Sequence, residues 1–165
     1  MKSKYIKLID IVLIFGTIIF LASFVSYARP LVISPINNLE TTNQSVLFNF
    51  ERGNIILIDD NLEFSSPQKI YAENNLIINL KPGKYYWKIE GMIGSEIRDL
   101  TILSEINLRL KQVGDLYEIT NAGNVDLNVG IYENENLVDN LILNVDESQE
   151  ISGEKFIGEP EGGNF

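Results

Sequence analysis

The sequence predicts an all-β protein of two modules, 31–103 and 104–151, carried behind a single N-terminal hydrophobic helix. Three observations predict it. Beyond Pro30 apolar residues recur at every second position, turn-forming residues punctuate those runs at short intervals, and an apolar run preceded by lysines opens the chain.

The N-terminal element comes first. Lys2, Lys4 and Lys7 lie in a short n-region, 1–7, ahead of a run from Leu8 to Tyr27 whose one formal charge is Asp10. At about 1.5 Å of rise per residue, residues 8–27 reach about 30 Å, enough to cross the hydrocarbon core as a helix in contact with membrane lipid. Two readings stay open: a retained single-pass anchor, or a signal peptide cleaved after Ala28, where Ser26 and Ala28 place small residues at the positions a signal peptidase reads. The lysines ahead of the run keep the N-terminus cytoplasmic, so the remainder of the chain is extracytoplasmic, at the cell membrane or secreted.

Alternation defines the strands. Val46, Phe48 and Phe50 share one parity, as do Leu76, Ile78 and Leu80, and as do Tyr85, Trp87 and Ile89. Turn signals separate them: Asn37 and Asn38, Gly53 and Asn54, Asp59 to Asn61, Asn74 and Asn75, Pro82 and Gly83, Gly91 and Gly94. From Leu100 through Ile102, Ile106, Leu108 and Leu110 the parity is unbroken, so one strand is expected to run almost directly into the next module. Segments 116–120, 125–131 and 137–145 come next, about fifty residues in all, enough for a small or incomplete sandwich. The Gly- and Glu-rich tail, 152–165, is expected to dangle, with docking through Phe156 and Ile157 as the alternative; these and Phe165 are its large apolar residues.

The segment LIINLKPGKYYWKIEG, residues 76–91, resembles the fifth and sixth strands of a fibronectin type III domain. Leu80, Pro82, Gly83 and Tyr85 match the leucine, the Pro-Gly turn and the corner tyrosine of that family. Upstream, ISPINNLETT resembles its first strand and SVLFNF its second, with Phe50 where a tryptophan is usual. Residues 117–151 resemble the immunoglobulin-like repeats of prokaryotic surface proteins, which carry an asparagine, a small residue and Gly-Asn ahead of an alternating strand, as Asn121 to Val125 do here. The resemblance implies a fibronectin type III-like sandwich followed by a smaller immunoglobulin-like module. A tyrosine at a sheet corner buries its ring while its hydroxyl reaches a loop, which gives Tyr85 an architectural role.

Composition narrows the chemistry. The chain has 165 residues and a net charge of −10, from 13 basic and 23 acidic side chains. Residues 1–30 hold four basic and one acidic side chain, leaving 9 basic and 22 acidic beyond them, net −13. Such an acidic outer portion repels phosphate backbones, so nucleic acid is not an expected partner. There is no cysteine and no histidine. That removes disulfides, thiolate chemistry, the commonest general base and the commonest transition-metal ligand, and no cofactor is expected.

Candidate sites are sparse. Asp59, Asp60, Asn61 and Glu63 supply hard oxygen ligands for calcium, yet Asp and Asn also favour solvated turns, and the Asp-x-Asp-x-Asp-Gly spacing is missing. Tyr85, Tyr86 and Trp87 are consecutive; alternation sends Tyr85 and Trp87 inward and leaves Tyr86 exposed, for a sugar ring or for cross-strand packing. Asn43, with Gln44 and Ser45, forms an Asn-x-Ser glycosylation acceptor. Asp10 either pairs with a partner helix or reaches the interface beside Lys7. No nucleophile or acid–base motif is present, and no enzyme is expected. The expected function is a membrane-anchored, surface-displayed structural or adhesive module with a protein or glycan partner; the alternative is a secreted glycan- or polymer-binding module acting through Tyr86 and nearby loops.

Overall fold

A computed structural model describes residues 2–161, with side chains from residue 5 onward. The side chains of Lys2 and Lys4, and residues 162–165 of the expected tail, lie outside the described residues. The chain is mostly β, with one N-terminal apolar helix. That helix, α1 (Lys2–Ala28), is apolar on every side, and Leu8, Val12, Phe15, Ile19 and Phe20 are all exposed. A helix hydrophobic all round needs an apolar surrounding. Pro30 cannot continue it, and Arg52 Nη1 donates to the Tyr27 carbonyl at 2.6 Å, meeting one of the orphan acceptors of the last turn.

Eight strands come after the helix: β1 (Leu31–Ser34), β2 (Leu39–Thr41), β3 (Ser45–Glu51), β4 (Ile55–Asp59), β5 (Gln68–Tyr71), β6 (Asn75–Asn79), β7 (Gly83–Glu90) and β8 (Arg98–Ile102). They form a three-stranded sheet, β1-β3-β6, and a five-stranded sheet, β2-β8-β7-β4-β5. The inward parity is the one the alternation predicts: Val46, Phe48 and Phe50 on β3, Ile78 on β6, and Trp87 and Ile89 on β7 are buried, as is Leu80 just beyond β6. Phe48 meets Trp87 edge-on, with ring centres 5.0 Å apart, joining the two sheets.

Six more strands complete the described chain: β9 (Leu108–Val113), β10 (Leu116–Asn121), β11 (Leu127–Glu133), β12 (Asn136–Leu143), β13 (Ser148–Ile151) and β14 (Lys155–Pro160). Their sheets are β13-β10-β9 and β12-β11-β14, packed on a core of Ile119, Leu127, Val129 and Leu143. The β11–β12 hairpin turns through Asn134 and Glu135, both at positive φ, which suits the twist of a two-residue loop. Setting β2 aside, the order β1-β3-β6 with β8-β7-β4-β5 recurs as β9-β10-β13 with β14-β11-β12. Among the described residues β8 has no counterpart in the second set.

Two expectations are corrected. Residues 152–161 do not dangle: Lys155–Pro160 pairs along β11, with Gly158 opposite Val129 and Phe156 opposite Ile131, because the inward parity of that short segment fits the core. Nor does one strand run from Leu100 to Leu110, since β8 ends at Ile102 and β9 begins at Leu108. Residues between them are held by Asn124, whose Nδ2 donates to the Leu103 and Thr42 carbonyls and whose Oδ1 accepts from Glu105 N at 2.7 Å.

By contact the chain divides into two compact units: Met1–Asn38, Leu47–Ile77 and Tyr85–Asp99 in one, and Leu39–Val46, Ile78–Lys84 and Leu100–Phe165 in the other. Against the expected division after residue 103, residues 39–46, 78–84 and 100–103 thus group with the C-terminal strands. The hydrogen bonds of Asn124 to the 42 and 103 carbonyls, the bond from Gln44 Nε2 to the Asn124 carbonyl at 2.8 Å, and the bond from Leu80 N to the Gln44 carbonyl at 2.9 Å tie these segments together.

Candidate interaction surface

The acidic turn that suggested calcium uses its own polar atoms. Asp59, at the end of β4, is 5 % exposed, and its carboxylate accepts from Ser66 N at 3.0 Å and Asn61 N at 3.3 Å. Asn61 Oδ1 accepts from Glu63 N at 2.9 Å. Burial pushes the Asp59 carboxyl up, but the backbone amides of Ser66 and Asn61, with Asp60, outweigh it and hold the group below its ordinary value. These are the bonds of an Asx-type turn. Among the described residues no cluster of three acidic side chains is arranged to hold a metal ion.

The aromatic triplet on β7 is placed differently from expectation at one position. Trp87 is fully buried, but Tyr86 is half-buried, like Tyr85, and not exposed. Tyr86 stands opposite Asp59 on β4, so the neighbouring strand and the loop after it cover a face the alternation alone leaves open. The Tyr85 hydroxyl is pushed above its ordinary pKa by burial and then by the nearby charge of Asp60, consistent with a polar tip held at the edge of a core.

Asn43 is exposed in the turn between β2 and β3, and its Oδ1 accepts from Ser45 N at 2.9 Å. Asp10 is exposed on α1, and Ala28 at the helix end is 8 % exposed. The 24 residues Tyr5–Ala28 are long and apolar enough to cross a membrane, a property that a signal sequence shares.

The Asn-Ala-Gly-Asn stretch before β11 is a structural device. Asn121 is fully buried; its Nδ2 donates to the Val125 and Leu143 carbonyls at 2.8 and 3.1 Å, and its Oδ1 accepts from Gly123 N. A Cβ at residue 123 would collide with the Glu105 carbonyl, so glycine is needed for the close approach of the two backbones. Within the second unit a cleft of about 610 Å³ lies beside this turn, lined by Gln44, Lys81, Asn124, Asp126, Asn144 and Glu161 among others. One of its carboxylates, Asp126, is engaged by Val145 N.

What remains available for recognition is the set of sheet edges. Edge strands expose unpaired backbone donors and acceptors, and several here also expose large apolar side chains: Tyr71 on β5, Ile77 on β6, Leu110 on β9 and Val138 and Ile142 on β12. Sequence reading did not single these out, because exposure at an edge depends on which strand lies beside it.

No family model matches the chain, and no curated protein matches it. Among solved structures the chain is similar to the crystal structure of the Pseudomonas aeruginosa CupB2 chaperone, at 9% identity and a TM-score of 0.24, over 73% of this chain and 88% of that one.

Proposed function

We propose that the protein is a membrane-anchored, surface-displayed interaction module of structural or adhesive type. The observation that carries this reading is the pairing of an apolar helix, long enough to span a bilayer and with its apolar side chains exposed, with β-sheets whose edge strands carry exposed apolar residues. Backbone edges of this kind recognise extended polypeptide by strand addition, which needs no reactive side chain. The strand order of β1–β8 and the corner position of Tyr85 support a fibronectin type III-like or immunoglobulin-like sandwich as the scaffold.

Protease added to intact cells tests the reading: residues beyond 30 should be digested from outside while the N-terminal segment stays with the membrane. Protection of residues 31–161 in intact cells, with digestion after lysis, would overturn it. The mass of the mature N-terminus separates anchor from cleaved signal, since cleavage would leave Arg29 as the first residue.

A further inference from the structure

We infer that the free edge of β14 pairs, antiparallel and about a two-fold axis at Ile157, with the β14 edge of a second copy of this chain. The two sets of strands differ at one edge. In the first set of strands β8 lies beside β7 and supplies Leu100 and Ile102, both buried. The equivalent place beside β14 is empty among the described residues, and β14 is the edge of its sheet.

Leu110 marks the gap from the other sheet. It pairs directly with Ile119, a fully buried core residue, so the two side chains point to the same face. Yet Leu110 is 49 % exposed. A core-facing leucine is left half in water where, among the described residues, β14 is the last strand of the opposing sheet.

Backbone geometry selects the register. The bond from Glu161 N to the Asp126 carbonyl lies on the same offset as the β11–β14 pairing, so the peptide groups of residues 155, 157 and 159 aim at β11. By the alternation of an antiparallel ladder, those of Phe156 and Gly158 then aim away, at the free edge. A two-fold axis at Ile157 sets Phe156 of one copy against Gly158 of the other, and each such pair exchanges both of its hydrogen bonds. Centring the pairing one residue later would put Pro160, which has no N–H, opposite Phe156.

Charge selects the same register. With the axis at Ile157, Lys155 of each copy faces Glu159 of the other, giving two opposite-charge cross-strand pairs, while Ile157 meets its own copy between them. On the core-facing side this register sets Phe156 of one copy opposite Gly158 of the other, which brings no side chain of its own against the ring. A segment only six residues long carries a self-complementary pattern, as an isologous contact requires. The edge alone makes a small interface, and confinement of two copies to one membrane by α1 would raise their effective concentration.

The inference rests on the proposed function in two premises, that sheet edges are the working surface and that α1 holds the chain in a membrane, and a failed cross-link would leave the protease result standing. The chain has no cysteine, so an introduced one reports alone. In full-length protein in detergent micelles, Ile157→Cys places two sulfurs across the axis in a non-hydrogen-bonded pair, the close-approaching kind. Under mild oxidation it should form disulfide-linked dimer at least about tenfold faster than Met92→Cys, an exposed site on the β7–β8 loop.

Adding Lys155→Glu should slow the Ile157→Cys reaction at least about threefold, and adding Glu159→Lys to that variant should restore it, since each change is at an outward-facing position. Circular dichroism of every variant checks that the fold is intact. Equal cross-linking at residues 157 and 92, or no rescue by the charge swap in folded protein, overturns the inference, as does a full-length chain that stays monomeric because its edge takes a strand from a different protein.

Discussion

Two aromatic contacts show how the halves of this protein differ. Phe48 on β3 meets Trp87 on β7 with both rings fully buried, whereas Tyr117 on β10 meets Phe156 on β14, at 5.6 Å between ring centres, with both rings half-buried. The strands concerned occupy equivalent places in the two strand orders. What separates them is β8, which flanks β7 and has no counterpart beside β14 among the described residues. One further strand turns an aromatic contact at the rim of a sandwich into one at its centre. A sandwich's last strand therefore does more than satisfy an edge: it decides how much of the core it borders is dry.

The largest effect expected from that difference is at the aromatic pairs. Trp87→Ala should cost about 3 to 5 kcal/mol, as for other fully buried large aromatics. Phe156→Ala should cost less than about 2 kcal/mol, because part of its ring is already in water. Thermal unfolding of the full chain in detergent, followed by far-ultraviolet circular dichroism, measures both. Equal losses would break the comparison.

A buried amide takes the next place. Asn121→Ala should destabilise by about 1 to 3 kcal/mol, since it takes the side-chain partner from a buried carbonyl, a part-buried carbonyl and a part-buried amide. Asn124→Ala, at a half-exposed position where water can replace the side chain, should cost less in the same measurement. The reverse order would mean that the 103–107 connection, and not the β11–β12 core, limits stability there.

Tyr85 and Tyr86 offer a finer test within the first half. Both are half-buried, so alanine at either should shift the unfolding temperature by similar amounts, and each by less than Trp87→Ala. A markedly smaller shift at Tyr86 would return it to the exposed role that strand alternation assigns.

Acid should distinguish the halves most subtly. Asp59 and Glu147 both have carboxyls held below their ordinary values, Glu147 chiefly by the Asn144 amide and side chain. A lowered folded value means that the stabilisation is present above the unfolded value and is lost as pH falls through the folded one. The loss therefore begins below about 4.5 for Glu147 and below about 3.8 for Asp59. Glu147→Gln should flatten the upper part of the acid limb of the unfolding curve and Asp59→Asn the lower part. An unchanged limb in both variants would remove these hydrogen bonds as a source of acid sensitivity.

The sequence by itself determined the apolar helix, the β class and the inward faces of β3, β6 and β7, because length, hydrophobicity and a period of two are local properties. It also placed the acidic loop after β4 as a turn, since Asp and Asn satisfy neighbouring amides wherever they fold. It did not reveal β4 itself, Ile55–Asp59, whose residues Ile56 to Asp59 are all buried and so show no alternation to read. Nor did it reveal β14, where Glu, Gly and Pro mask a parity that only pairing with β11 makes plain. The half-covered faces of Tyr86 and Leu110 were decided by tertiary structure alone. Whether a side chain at a sheet edge is wet depends on which strand lies beside it, and that neighbour can come from anywhere in the chain.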